Sequence, residues 1–272
     1  LRAGGGVVST VYHPNEFVMG EFWDIVNFAN GANPPRSRWK PPPRKTRAQT
    51  ALAFANFEDY IRHLKSFPEV RFITTGEAAR TYRDRAVGRR FTPRELRAVA
   101  TKVGRAISFQ RRDGYALAPA DVFALLTECA ASGGRAAVRM GPTPFGPAES
   151  SPVSPREIRA DHSQLARTAA DAAAYVRVHG RLPSAVWLGS APVSPERWLS
   201  ALAGVFPAWS LRGHPPSHAV FRPAHLATAR YVAEDTPRLW RWPIHRQGFT
   251  APALMQLARR QAWTLKPAIS TT

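Results

Sequence analysis

Three short stretches dictate where helices must begin in the middle of this chain. "FTPREL" (91–96), "VSPREI" (153–158) and "VSPERW" (193–198) each place Ser or Thr before Pro. The hydroxyl can accept from a free amide of the first turn, and Pro needs no N–H at the first helical position. Glu95 and Glu157 stand where capping boxes with Thr92 and Ser154 require them, and Glu196 sits one place early. Phe91 with Leu96, Val153 with Ile158, and Val193 with Trp198 have the spacing of a hydrophobic staple.

The caps sit inside a weak internal repeat. "ELRAVATKVGRAISFQRRDG" leads to "APADVFALLTE", and "QLARTAADAAAYVRVHG" leads to "SPERWLSALAG". Each is a helix ending near Gly, a connection, then a capped helix. The second copy inserts "RLPSAVWLGSAPV", whose "AVWL" reads as a strand, so the repeat is imperfect. Residues 88–210 are therefore expected to form a mainly helical α+β repeat domain. Residues 211–272 read as an irregular, Pro-rich tail closing on one helix.

Residues 1–87 have α/β character. Val7 to Val11 reads as a strand with His13 at its end. Phe54, Phe57, Ile61 and Leu64 predict an amphipathic helix over about 50–65, stopped by Pro68. "EVRFITT" predicts a short strand and "GEAARTYRD" a closing helical turn. Strand, helix and strand in this order suit parallel packing. Between them "NPPRSRWKPPPRKTRAQT" holds five prolines, and six basic residues from Arg36 to Arg47 meet no acid. Two readings stand open: a solvated crossing loop, or a rim that contacts an anionic or sugar ligand.

With 44% hydrophobic residues the chain is not disordered, and no apolar run approaches the ~18 residues of a membrane span. The net charge of +19 would draw polyanions. Lysine, however, occurs only at positions 40, 45, 65, 102 and 266, and the arginines are spread evenly among Ala and Pro. No reader motif accompanies the charge, so no dedicated nucleic-acid partner is expected. The first residue is Leu, and no basic-then-apolar leader follows, so a targeting signal is expected to be absent or upstream. Cys129, the one cysteine, reads as a buried structural thiol. His214 and His218 in "HPPSH" have metal-ligand spacing, but two prolines between them make a loop and no carboxylate lies nearby. No Gly-rich phosphate loop and no Gly-x-Ser-x-Gly elbow occurs.

His13 has a side chain suited to proton transfer near neutral pH, and Pro14 turns the chain after it. On pattern alone a histidine there reads as structural. "VVSTVYHPNEF" followed by "FANFEDYIRHLKSFPEVRFITTGEAARTY" resembles the closing segment of the polysaccharide deacetylase family, over about residues 5–85. The resemblance implies a C-terminal fragment of a deformed (β/α) barrel that hydrolyses acetyl groups on chitin-like or peptidoglycan-like polymers. It makes His13 the general acid that protonates the leaving amine or alcohol. Thr10 and Tyr12 stand where the family usually has aliphatic residues, which implies a different acyl pocket or a divergent substrate. The family's Asp-Asp pair and His-x-x-x-His motif lie upstream of this strand. The resemblance therefore implies a zinc-like divalent metal in a complete protein, and an inactive chain here.

The long loop after His13 carries Glu16, Trp23, Asp24, Asn27, Asn33 and Trp39, residue types that bind sugars. Flat rings lie under pyranoses, and carboxylates and amides take hydroxyls. For Trp23 a sugar contact and a loop anchor are equally open, whereas Phe22 and Phe28 read as anchors. "AAAYVRVHGRLPSAVWLGSAPVSPERWLSALA" is similar to pseudomurein-binding-type repeats. That likeness implies a glycan-binding module, an acetylated polysaccharide or cell-wall glycan as partner, and an exported or envelope location. The alternative is a non-catalytic envelope glycan-binding protein that keeps a barrel remnant.

Overall fold

The computed structural model describes residues 6–151 and 157–269. The chain is mixed α and β and divides into two units: residues 1–80 with 235–251, and residues 81–234 with 252–272. The division falls a few residues before the expected cut at 87. The expected tail, 211–272, is shared between both units.

Unit 1 holds α1 (Asn15–Val18), α2 (Trp23–Phe28), α3 (Arg47–Lys65) and α4 (Thr75–Thr81). Helix α3 begins earlier than the apolar spacing predicts because Thr46 caps it. The Thr46 hydroxyl accepts from Gln49 N–H at 3.2 Å, and the Gln49 side chain accepts from Thr46 N–H at 2.9 Å. The two strands expected at Val7–Val11 and 69–75 are not formed, and unit 1 contains no strand among its described residues. Val8 and Val11 are 79% and 76% exposed, and Phe72 is exposed as well. A strand needs a neighbour for its ladder and a face to bury, and neither segment has one within this unit. Among the described residues of unit 1 no apolar side chain is fully buried; Asn27 alone is.

Unit 2 opens with β1 (Arg90–Phe91), α5 (Pro93–Ala100), β2 (Ala106–Ile107), β3 (Gln110–Arg112), β4 (Tyr115–Leu117), α6 (Pro119–Ala131) and β5 (Val138–Arg139). It continues with β6 (Ile158–Asp161), α7 (His162–His179), β7 (Val186–Leu188), β8 (Ala191–Val193), α8 (Pro195–Arg212) and β9 (His218–Phe221). Two last elements follow, β10 (His225–Leu226) and α9 (Pro252–Gln261). The repeat is more regular than its sequence. Each copy is a strand, a helix, a two-stranded hairpin, a Pro-started helix and a strand that returns to the first. Thus β1 pairs antiparallel with β5, and β6 with β9. The hairpins are β3–β4 and β7–β8. Gly114 and Gly189, both at positive φ, close them, a conformation that favours glycine. Strand β10 pairs in parallel with β2, tying the end of the second copy to the first.

Two of the three helix starts form as expected. Thr92 and Glu95 make a reciprocal capping box at α5, and the Ser194 hydroxyl accepts from Arg197 N–H at α8. In the third, Val153, Ser154, Pro155 and Arg156 lie outside the described residues. Ile158 belongs to β6 instead of a helix, because 158–161 pair with 218–221. Helix α7 starts four residues later, capped by Asp161, whose carboxylate accepts from Gln164 N–H at 2.8 Å.

The core of unit 2 is continuous across both copies and includes Phe91, Leu96, Phe123, Leu126, Trp198, Phe206 and Phe221. Cys129 is buried and donates to Ala136 O; burial pushes its thiol up to about 11, which makes it inert. No described helix is long and apolar enough to cross a membrane.

One charged cluster joins the ends of unit 2. Asp121 is fully buried in the first turn of α6, where it accepts from Ala118 N–H and from Lys266 Nζ, each at 2.8 Å. Lys266 also donates to Asp84 and to Thr143 Oγ1. Burial raises the Asp121 pKa, and Lys266 opposes that shift. Lys266→Met should lower stability by about 3 kcal/mol at neutral pH in denaturant unfolding. In that variant only the Ala118 and Thr143 hydrogen bonds oppose burial, so the folded carboxyl has a raised pKa. Stability should then fall as pH climbs above the unfolded carboxylate value, and the deficit should be smaller at pH 5 than at pH 8. A deficit independent of pH would remove the ion pair from this role.

Candidate functional site

The candidate catalytic and sugar-contacting residues all lie in unit 1, and the structure sorts five of the seven into three groups. His13 ends an exposed segment that has no regular secondary structure. Pro14 adopts helical angles (φ −54°, ψ −31°) and starts α1, with Glu16 N–H donating to His13 O at 2.9 Å. The His13 ring meets Phe22 edge-on at 5.5 Å, and Phe22 meets Trp242 at 5.1 Å. Asp24 belongs to this group: its carboxylate accepts from Ile25 N–H at 3.0 Å and from Trp242 Nε1 at 2.8 Å.

Glu16 faces a second place. It lines a cavity of about 260 Å³ with Tyr12, Phe17, Asn56, Phe57 and Tyr60. The ring of Phe17 stacks on Phe54 at 4.8 Å, and Tyr12 meets Phe57 edge-on at 4.7 Å. These contacts put the aromatic face of α3 against α1 and the segment that carries His13. Lys45 binds the Glu16 backbone carbonyl, so the carboxylate is the charged group of the cavity wall. Partial burial and the neighbouring Tyr60 hydroxyl raise the Tyr12 pKa.

Trp23 and Trp39 form the third group, with Phe28. The three rings meet nearly at right angles, with centroids 5.1–5.9 Å apart. Trp23 is 42% exposed and Trp39 39%, so the cluster anchors the loop and still offers ring surface to solvent. The two roles left open for Trp23 are compatible here.

Asn27 does not fit a sugar-contacting role. It is buried, its amide donates to Trp23 O and Lys40 O, and its carbonyl accepts from Lys40 N–H. It clamps the two arms of the loop. Asn33 is exposed and stands apart from the three groups. The polybasic stretch contributes a short 3-10 turn at Arg36–Arg38 with exposed arginines.

The segment 235–251, which falls within the expected irregular tail, completes this region. Trp242 closes the His13–Phe22 group, and Asn30 and Gly31 N–H donate to Pro243 O and Ile244 O. Asp235 shapes the segment by accepting from Trp240 Nε1 and Ala251 N–H. The clustering of Trp240, Trp242 and Phe249 is the one local signal of this role. Its partner, Asp24, lies 218 positions away.

Among the described residues no group of three or more His, Cys, Asp or Glu side chains is arranged to hold a metal ion. His218 lies in β9, and the His214 ring faces His162 at 5.8 Å.

Asn27→Ala should release the loop, since it removes three hydrogen bonds from a buried position. Trypsin should cut faster after Arg36 and Arg38 in the variant than in the parent chain, with cleavage within unit 2 unchanged. Equal rates in the loop would show that Asn27 is not its clamp. Comparison with known protein families, characterised proteins and solved structures finds nothing that matches this chain.

Proposed function

We propose that unit 1 is the closing segment of a deformed (β/α) barrel of a polysaccharide deacetylase, and that unit 2 is its glycan-binding accessory module. The observation that carries this reading is the contrast in burial. Unit 1 has strand-forming valines, an aromatic helix face and Phe72, yet buries no apolar side chain among its described residues. Such a surface suits a segment whose apolar residues complete a layer built with further strands. The order of its motifs, a strand-like run ending in His-Pro, a helix, and "FPEVRFITT", is the order of the family's last barrel elements.

The chemistry of His13 follows from this placement. In hydrolysis of an acetyl group, water oxygen bonds to the carbonyl carbon and the C–N or C–O bond breaks. The departing nitrogen or oxygen takes a proton as it leaves. An imidazolium beside Phe22 and open to solvent can donate that proton, giving a free amine or alcohol and acetate. Trp23 and Trp39 present ring faces on the same loop for a sugar to lie against. Residues that would bind the metal are not assigned within this chain.

The coding sequence 5′ of Leu1 tests the reading. It should continue in frame and encode an Asp-Asp pair and a His-x-x-x-His motif. In that longer protein His13→Ala should lower deacetylation of an acetylated glycan by roughly 10²-fold, with an unchanged unfolding temperature. Absence of both motifs, or full turnover in the variant, would overturn the assignment.

A further inference from the structure

Unit 2 buries a cation that has no ion pair among the described residues. Arg197, in the first turn of α8, is 3% exposed. Its Nη1 has no hydrogen-bond partner, and its guanidinium makes no ion pair among the described residues. Arg197 lines a cavity of about 570 Å³. An unpaired buried guanidinium is strongly unfavourable, and a partner anion relieves it.

Two further elements bring positive charge and donors to the same cavity. Ser194, Glu196 and Arg197 place the N-terminus of the 18-residue helix α8 on its wall, where the helix dipole favours an anion. Pro195 has no N–H and the Arg197 amide is taken by Ser194 Oγ, so the Glu196 amide is the donor left over in that turn. From α9 come Arg259 and Arg260. Arg260 donates to Ser150 Oγ at 3.4 Å, while its buried Nε has no partner. The last turn of α9 can come this close because residue 146 is glycine: a Cβ there would lie 2.1 Å from Arg260 O. Gly146 N–H donates to Gln261 Oε1 at 2.9 Å and holds the approach.

The geometry points to a binding site for a sugar bearing a carboxylate, with Arg197 as the residue that takes the carboxylate. A guanidinium fork matches a planar carboxylate with two parallel hydrogen bonds. Glu149 and Glu196 also line the cavity; they would repel a dianionic phosphate but accept from sugar hydroxyls. Pro147, Pro223 and Leu226 give apolar wall for the C–H face of a ring, and the volume suits one or two sugar units. The assignment rests on reading unit 2 as a glycan-binding module and names the class of glycan.

Titration calorimetry on the full chain at low salt, with three probes, tests it. Oligogalacturonate should bind, and neutral oligogalactose and inorganic phosphate should bind at least tenfold more weakly. Arg197→Met should weaken oligogalacturonate binding at least tenfold without lowering the unfolding temperature, because it removes an unpaired buried charge. Arg259→Gln, at an exposed position, should weaken binding several-fold and serves as the readout if Arg197→Met fails to fold. Equal affinity for acidic and neutral saccharides would overturn the carboxylate site and leave the glycan module standing. Oligogalacturonate binding that neither variant alters would do the same. Phosphate bound as tightly as oligogalacturonate would reduce the cavity to a simple anion site. No binding of either saccharide would overturn the glycan module itself.

Discussion

Trp198 holds the two copies of the repeat in unit 2 together. Its ring is fully buried and lies nearly parallel to Phe221 of its own copy, 6.0 Å away. Its indole N–H donates to Thr127 Oγ1 of the other copy at 3.0 Å. A buried indole needs a partner for its one polar atom, so the hydrogen bond sets how α8 lies on α6. Around it the exposed rim adds Arg177 to Glu128 and Arg135 to the Leu211 and Arg212 carbonyls, which follow from this packing.

Unit 1 is held by different forces. Its aromatic rings meet mostly edge to face, its loop is clamped through Asn27, and its connections run through Asp24, Asp235 and backbone carbonyls. These interactions define local shape without creating a dry interior. Hydrogen bonds in partly solvated positions each contribute little net stability, and most domains draw more of theirs from burying apolar area. Val8, Val11 and Phe72 are apolar residues that remain exposed in this unit. The same residues dictate the functional reading.

The two buried charges of unit 2 make a useful pair. Asp121 has Lys266 and the Ala118 amide beside it, so its burial serves the fold, fastening the C-terminal segment to α6. Arg197 is buried almost as deeply and has no such partner. One charge is paired within the structure, and the other has no ion pair among the described residues. Their surroundings separate them, because both are ionic side chains in the first turn of a Pro-started helix.

Local chemistry was legible from the residues themselves. The caps at Thr92 and Ser194, the strand in "AVWL", the amphipathic face of α3 and the buried Cys129 depend on neighbours within a few positions, and each appears in the fold. The hairpin at Asp113–Gly114 carries a turn signal just as local, hidden inside a stretch whose composition suggests helix. Strand formation at 7–11, 69–75 and 158–161 was decided elsewhere, because a ladder exists only where a second strand lies alongside. Residues 158–161 found 218–221; the other two segments found none within their unit. The same long-range dependence placed Trp242 against Phe22 and Asp24, made Asn27 a clamp, and left Arg197 buried without a counter-ion among the described residues. Sequence spacing carries what hydrogen bonds within a turn can enforce. Pairing, burial and the neutralisation of charge are properties of residues that meet only after the chain has folded.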